Sequence, residues 1–226
     1  MVSAAGHDQP LASSQLHGAV VLAIAVTAWN RGPTGGPDEG PTDSQNRAVG
    51  RWSGMSSPPP VLAFPTRGWA DVSTDIDGAL RKESGLVGVA LIDVDHFIEL
   101  SRQLPPTSGG TEAIMAAVVR RLGTRLTPAD LTARVADDSV LVMRHPLEGP
   151  AAIEGLGLRL VDACREPLVV AGESYRCTIS VGVATSRAGD TGPSLLRFAQ
   201  FALDDAKALG RNRMVAFADE DRELLE

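Results

Sequence analysis

The chain has 226 residues, enough for one sizeable domain with a tail or for two small domains. Its apolar content of 43% is ordinary for a globular protein and sufficient for a core. The formal net charge of −7 argues against a general nucleic-acid binder, because phosphate backbones demand a basic face, but it is compatible with a local site that binds one nucleotide.

Residues 1–63 are predicted to form a poorly ordered leader. From Asn30 to Pro60 the chain is punctuated by Gly, Pro, Ser, Thr and Asp, and such a composition cannot bury enough apolar surface to offset the entropy of ordering. The apolar run at 18–28 has about half of the roughly 20 residues that a membrane span needs. A signal peptide would have Lys or Arg before such a run, but none precedes this one. We therefore predict no membrane span and a cytoplasmic protein, with Met55 as an alternative start to Met1.

Order is predicted to begin near Phe64, with a weak helix over residues 72–82. The next segment, residues 86–95, is an apolar run that ends in Asp93 and Asp95. A run without alternation is typical of a central strand that is buried on both faces. Because the two acids are two residues apart, both should project to the same side of that strand.

The middle of the chain predicts helices followed by a hairpin. A short helix over 95–103 should precede a flexible segment and then an amphipathic helix over 112–126, with Thr111 as its candidate N-cap. Two apolar runs within residues 131–143 flank a small, acidic tip, which predicts a β-hairpin. Such a tip presents a carboxylate beside backbone amides, a geometry suited to a metal–phosphate site.

The last third of the chain completes the sheet and its helices. Gly210 is a candidate C-terminal cap for the final helix. This mixture of helices and strands predicts an α+β sandwich with a mixed or antiparallel sheet. The remaining elements are predicted in this order: a helix over 150–165, strands over 168–170 and 175–184, a helix over 193–209, and a strand over 214–217. Cys164 and Cys177 have no metal or redox spacing and are predicted to be buried thiols.

Four local motifs occur along this ordered part of the chain. They are Leu-Ile-Asp-Val-Asp-His-Phe at 91–97, Ala-Arg-Val-Ala-Asp-Asp-Ser-Val at 133–140, Thr-Ile-Ser-Val-Gly-Val-Ala at 178–184 and Ala-Lys-Ala-Leu-Gly-Arg-Asn-Arg at 206–213. In this order and at these separations they resemble the motifs of the GGDEF domain of diguanylate cyclases. The resemblance implies a nucleotide-cyclase fold, a palm-like or ferredoxin-like α+β sandwich, for residues 64–219, with a short tail at 220–226.

The resemblance also implies a chemistry. In that family two GTP-loaded domains meet face to face, and each 3′-hydroxyl attacks the partner's α-phosphate to give cyclic di-GMP. This phosphoryl transfer depends on positioning, divalent metal and charge stabilisation. By resemblance, Mg²⁺ is held by Asp93, the carbonyl of Val94 and Asp138, and Asp138 is also the candidate base. Lys207 and Arg211 would hold the terminal phosphates of GTP, one helical turn apart on one face.

The turn itself departs from the Gly-Gly-Asp-Glu-Phe of the family. Ala136 and Asp137 replace two glycines. The family turn needs unusual backbone angles and a close approach of phosphate, and both requirements favour glycine. Asp137 also adds a negative charge that at near contact opposes a triphosphate by about a kcal/mol or more. Ser139 removes a carboxylate, and Val140 replaces the aromatic ring. These changes weaken the case for turnover.

Two further sites of the family are altered. The Asn that reads guanine is Ser101 here, and its Asp partner is Gly110. Losing polar groups that pair with a base edge weakens discrimination by powers of ten. The inhibitory Arg-x-x-Asp site appears as Thr127-Pro-Ala-Asp130, so feedback by the product is not expected.

Three functions from different classes follow from these observations. The departures favour a degenerate GGDEF domain, a non-catalytic regulatory or nucleotide-binding module in cyclic di-GMP signalling, whose partners are a guanine nucleotide and a second copy or another signalling protein. One alternative is an active cyclase in which Asp93 and Asp138 hold Mg²⁺ without help from Ser139. The other is a ligand-free interaction domain.

Lys207 and Arg211 could also be solvated charges that favour a helix dipole, and Arg134 is predicted to pair with a nearby acid.

Overall fold

The computed structural model describes residues 64–82 and 84–222. The leader predicted for residues 1–63 and the end of the predicted tail lie outside these residues. The helices, in chain order, are α1 (Trp69–Leu80), α2 (Phe97–Arg102), α3 (Gly110–Gly123), α4 (Pro150–Ala163) and α5 (Gly192–Ala208). The strands are β1 (Leu86–Val94), β2 (Leu131–Arg134), β3 (Ser139–Leu147), β4 (Leu168–Val170), β5 (Glu173–Tyr175), β6 (Ile179–Thr185) and β7 (Met214–Ala216).

Five strands form one sheet in the order β2–β3–β1–β6–β7. β1 lies at the centre and pairs antiparallel with β3 and β6, whereas β7 pairs parallel with β6. α3 and α4 cover one face of the sheet, where Ala90, Ile92 and Val94 of β1 join the core. α1 and α5 pack on the other face. The unbroken apolar sequence of β1 is therefore explained by burial on both faces, and the predicted α+β sandwich is confirmed.

α5 approaches β6 so closely that Gly182 has no room for a side chain. A Cβ built at this position would overlap the carbonyl oxygen of Ala199 and the amide nitrogen of Leu203, both backbone atoms of α5. Backbone cannot move aside as a flexible side chain can. Glycine at this position therefore sets how deeply the helix lies on the sheet, and with it the position of every residue that α5 carries.

α5 ends at the cap that the sequence predicts. Gly210 has φ 109°, a left-handed conformation that glycine adopts without strain. Its N–H donates to the carbonyl of Lys207 at 3.2 Å, and the N–H of Arg211 donates to the carbonyl of Ala206 at 2.9 Å. These two bonds are those of a Schellman motif. The helix consequently stops before Arg211.

Two local predictions are wrong. The predicted strand over 175–184 is divided, because β5 pairs only with β4 in a separate two-stranded sheet and β6 begins at Ile179. Thr111 is not the N-cap of α3. The chain already turns at Gly109, where φ is 90°, and the N–H of Gly110 is bound by Ser108 Oγ at 3.2 Å, so the helix begins before Thr111.

The ordered packing continues beyond residue 219, where the tail was predicted to begin. A 3₁₀ turn spans Asp219–Asp221, and Arg222 is buried. The guanidinium of Arg222 donates to both carboxylate oxygens of Asp190, at 2.7 and 2.8 Å, and lies over the ring of Phe198. The domain therefore includes at least Arg222. Within residues 64–82 and 84–222, no helix has the length and hydropathy that a membrane crossing requires.

Candidate functional site

The end of β1, the turn between β2 and β3 and the last turn of α5 meet at one edge of the sheet. Asp93 Oδ2 accepts a hydrogen bond from Lys207 Nζ at 2.8 Å. Ser139 Oγ lies 3.3 Å from the same oxygen and 2.9 Å from Asp138 Oδ1. Because a hydroxyl has one proton, Ser139 donates to only one of the two carboxylates at a time. The structure thus brings together Asp93, Asp138 and Lys207, with Ser139 between the two acids.

Burial dominates the electrostatics of Asp93. Its side chain is 12% exposed. Burial raises the pKa of Asp93, the hydrogen bond and charge of Lys207 oppose that rise, and the charge of Asp138 adds to it. The pKa stays above its ordinary value even with Lys207 in contact. A second carboxylate beside a buried one makes this a place where a cation is stabilising.

Val94 is held directly beside both acids. It follows Asp93 in β1 and lies opposite Asp138 in the ladder, where its N–H donates to the Asp138 carbonyl at 3.0 Å. This bond extends the β1–β3 pairing by one step beyond Ser139, which pairs with Asp93. The ladder therefore fixes the backbone at Asp138 relative to the backbone at Asp93 and Val94.

The donor set at this edge fits a hydrated divalent cation that also binds phosphate. Mg²⁺ is usually held by one or two carboxylates, with water and substrate phosphates completing its octahedron. Asp93 and Asp138 supply two carboxylates, and the ammonium of Lys207 already contacts Asp93 as a cation does. In the described part of the chain, no group of three or more His, Cys, Asp and Glu side chains is placed to hold a metal. A cation at this edge would therefore need ligands that the side chains do not provide.

Asp95 has a structural role that the sequence did not reveal. Its carboxylate accepts hydrogen bonds from Thr178 Oγ1 and Ser180 Oγ, both at 2.7 Å, and from the N–H of Asn212 at 3.1 Å. These bonds tie the end of β1 to β6 and to the turn that follows α5. Asp95 is buried and accepts three hydrogen bonds, so it positions the turn that carries Arg211.

Arg211 does not share a helix face with Lys207, and the predicted spacing of one helical turn is wrong. α5 ends at Ala208, and Arg211 lies beyond the cap with φ 63°, in the left-handed region. The side chain of Arg211 is exposed, whereas Lys207 is held against Asp93. The reason is the Schellman motif at Gly210, which turns the chain away from the helix axis.

Arg134 holds the β2–β3 turn in shape. Its guanidinium donates to the carbonyls of Ala136 at 3.2 Å and Asp137 at 2.9 Å, and it pairs with Glu112 at 2.7 Å. The predicted acid partner of Arg134 is thus confirmed. None of the residues 135–139 has a positive φ. In this chain Ala136 and Asp137 therefore adopt the turn without left-handed backbone angles, so no strain of that kind follows from the loss of the two glycines.

The two positions implied for base reading lie on separate helices. Ser101 is in α2, and its hydroxyl donates to the carbonyl of Ile98 at 2.8 Å. Ile98 itself is 60% exposed. Gly110 opens α3 with φ 60° and has no side chain to offer. Neither position presents a free side-chain donor.

Comparison with known families and proteins gives consistent matches. The family model described as "Diguanylate cyclase, GGDEF domain" matches residues 70–213. The cyclic di-GMP phosphodiesterase NbdA of Pseudomonas aeruginosa is 31% identical over 140 residues, which are 62% of this chain and 17% of NbdA. The diguanylate cyclase DgcP of the same organism is 25% identical over 161 residues, which are 69% of this chain and 23% of DgcP. The chain thus spans less than a quarter of the length of either relative.

Solved structures of separate GGDEF domains share the fold. The GGDEF domain of TpbB (YfiN) from Pseudomonas aeruginosa superposes with a TM-score of 0.65 and 23% identity, covering 74% of this chain and 98% of that one. The GGDEF domain of DgcB from Caulobacter crescentus, solved in complex with c-di-GMP, gives a TM-score of 0.60 and 20% identity over 72% of this chain and 98% of that one. At these identities the likeness shows the fold alone.

Proposed function

Because the chain belongs to the GGDEF domain family of diguanylate cyclases, we propose that it binds a complex of magnesium and a guanine nucleotide at the edge formed by Asp93, Asp138 and Lys207. It acts as a regulatory module of cyclic di-GMP signalling and does not itself make cyclic di-GMP. The observation that carries this proposal is the Asp93–Lys207 pair beside Asp138. The groups that bind cation and phosphate remain assembled, whereas Ser139 stands where a cyclase has a second turn carboxylate.

The binding half of the proposal rests on the residues at the end of β1 and α5. Asp93, Asp138 and the carbonyl of Val94 would hold Mg²⁺, which supplies charge neutralisation between the carboxylates and the phosphates. Lys207 would bind a terminal phosphate from the last turn of α5. Arg211 would reach the phosphates from the turn beyond the helix, where its guanidinium is exposed. Such exposure suits a long side chain that meets a ligand in solvent.

The residues of the β2–β3 turn disfavour turnover. Phosphoryl transfer depends on charge stabilisation and on a group that takes the proton of the attacking hydroxyl. Ser139 is neutral, and its hydroxyl lies within hydrogen-bond distance of both Asp93 and Asp138. Asp137 adds a negative charge at the exposed tip. Binding without turnover is the outcome that this arrangement supports.

An active cyclase is the second candidate, favoured by the survival of two adjacent carboxylates. Calorimetric titration of the full chain with GTP and cyclic di-GMP, each with and without Mg²⁺, tests binding. A product assay at high protein concentration tests turnover. We expect Mg²⁺-dependent binding of GTP and no cyclic di-GMP formed. Product formation would establish the cyclase. Absence of binding in every titration would contradict the proposal and favour a ligand-free interaction domain, for which a second copy or another signalling protein would be the partner.

Asp93→Asn is expected to lower the Mg²⁺-dependent affinity for GTP by about tenfold or more, because an amide replaces a charged ligand of a divalent cation. Calorimetry with and without Mg²⁺ measures the change. Asp71→Asn is the matched control, since it removes the same charge from an exposed position in the first turn of α1. Unchanged affinity in Asp93→Asn would contradict the metal assignment.

Guanine selection is expected to be weak, and restoring the turn should not restore it. In the triple variant Ala136→Gly, Asp137→Gly and Ser139→Glu, the affinities for GTP and ATP should differ by less than about tenfold, because Gly110 has no side chain and the hydroxyl of Ser101 donates to the carbonyl of Ile98. Competition titrations of the two nucleotides on wild type and variant measure the ratio. A preference for GTP of a hundredfold or more in the variant would refute this prediction.

A further inference from the structure

The ammonium of Lys207 occupies one carboxylate oxygen of Asp93, the residue proposed to hold a metal. Lys207 Nζ lies 2.8 Å from Asp93 Oδ2, and the side chains are 31% and 12% exposed. A divalent cation bound to the carboxylate of Asp93 would lie within a few ångströms of this ammonium. Like charges at such a distance in a partly buried site repel strongly. Lysine and metal therefore compete for Asp93.

We infer that Lys207 is a displaceable counter-ion, which neutralises Asp93 while the site holds no ligand and leaves it when a metal and a polyphosphate bind together. The inference rests on the proposed nucleotide site and adds its regulation. Free metal has to displace an ion pair that is already formed. A metal–polyphosphate complex offers the ammonium a new anionic partner at the moment of displacement, so the two ligands bind cooperatively.

α5 provides a second anionic position for the released lysine. Asp204 lies one turn before Lys207, on the same helix face. Burial raises the pKa of Asp204, while a hydrogen bond from Gln200 Nε2 at 2.9 Å and the charge of Lys207 act in the opposite direction. Asp204 thus already lies within electrostatic reach of Lys207. The ammonium can move from Asp93 to Asp204 or to phosphate by rotation of its own side chain, without movement of the helix.

The competition has a reciprocal consequence. If removal of the lysine charge raises the affinity for metal, binding of metal must weaken the contact of the lysine with Asp93 by the same factor. Both sides of this coupling are measurable on the full chain, and neither measurement requires nucleotide turnover. The first uses a variant and the second uses the wild-type protein.

The first experiment is calorimetric titration with Mn²⁺ alone on wild type, Lys207→Met and Lys82→Met. Lys82 is the other lysine of the chain and is exposed after the end of α1, so its substitution removes the same charge away from this site. We expect Lys207→Met to bind Mn²⁺ about tenfold more tightly than wild type, the factor that corresponds to loss of one competing, half-buried ion pair. Lys82→Met should bind as wild type does. Equal affinity in all three proteins would overturn the inference.

The second experiment follows the lysines themselves. Protein labelled with ¹⁵N-lysine has two ammonium signals, and Lys82 is the internal reference. Addition of Mg²⁺ with GTP should shift the Lys207 signal and leave that of Lys82 in place. A Lys207 signal that stays unchanged while calorimetry reports binding would overturn the inference and leave the proposed nucleotide site intact. Failure of wild type to bind Mg²⁺ with GTP, combined with tighter Mn²⁺ binding by Lys207→Met, would contradict the proposed function and support the counter-ion.

Discussion

Gly182→Ala is expected to lower the free energy of unfolding by about 3 kcal/mol, near the upper end of the usual cost of overpacking. The added Cβ would overlap backbone atoms of Ala199 and Leu203, so α5 has to move away from β6 as a unit. Lys207 lies on that helix, and its contact with Asp93 should weaken as the helix shifts. Urea unfolding measures the first effect, and the ¹⁵N signal of Lys207 measures the second.

Gly78→Ala is the control for this substitution. Gly78 lies within α1, and a Cβ at this position meets no atom within 4 Å. Alanine there should raise the free energy of unfolding by up to about 1 kcal/mol, because glycine is a poor helix former. Opposite signs for the two glycine-to-alanine changes are therefore expected. A loss below about 1 kcal/mol at Gly182 would show that α5 can adjust without cost, contrary to the close packing described above.

The sequence predicted those parts of the fold that depend on neighbouring residues. The unbroken apolar run of β1 indicated a central strand, and the acidic tip between two apolar runs indicated the β2–β3 hairpin. Gly210 indicated the end of α5. Each of these signals is confined to a short window, because burial on both faces, hairpin turns and helix caps impose local requirements on residue type.

The same locality explains one error. A helix that ends at Leu209 with Gly210 as its cap cannot carry Arg211 on its surface, so the cap and the predicted face of Lys207 and Arg211 were incompatible. The cap determines the path of the chain, since the left-handed residue at Gly210 redirects the backbone. Any contact between Arg211 and a phosphate would therefore be made from the turn, which Asp95 holds through the N–H of Asn212.

The contacts that assemble the site could not be predicted from sequence. Asp95 is bound by donors 83, 85 and 117 residues away along the chain. The pairing of Asp93 with Lys207 likewise joins β1 to the last turn of α5. Such long-range contacts depend on sheet order and on the depth of helix packing, which no local pattern encodes. The motif indicated that both residues bind ligands, but not that they form an ion pair with each other.

Asp130 shows how a position of a family motif can acquire a structural use. Its side chain is shielded from solvent although the residue as a whole is half-buried, and it forms a bidentate ion pair with Arg144 of β3 at 2.6 and 2.7 Å. The N–H of Thr127 also donates to it at 2.7 Å. Burial acts to raise the pKa of Asp130, but these hydrogen bonds and the Arg144 charge outweigh it and lower the pKa. The carboxylate is therefore occupied by an ion pair that joins the start of β2 to β3.

Arg144→Met is expected to lower the free energy of unfolding at pH 7 by about 2 to 3 kcal/mol, because it leaves the partly buried Asp130 carboxylate without its counter-ion. A carboxyl whose folded pKa is depressed contributes stability above its ordinary value of 3.8, and this contribution is lost as the pH falls through the folded pKa. The difference between wild type and variant should therefore be largest near neutral pH and shrink in acid. Adding Asp130→Asn should recover part of the loss at pH 7.

Arg165→Met is the matched control, since Arg165 and Asp162 form an exposed pair at 3.7 Å, and it should cost at most about 1 kcal/mol. Equal costs for the two arginines across the pH range, measured by urea unfolding, would refute the structural role assigned to Asp130.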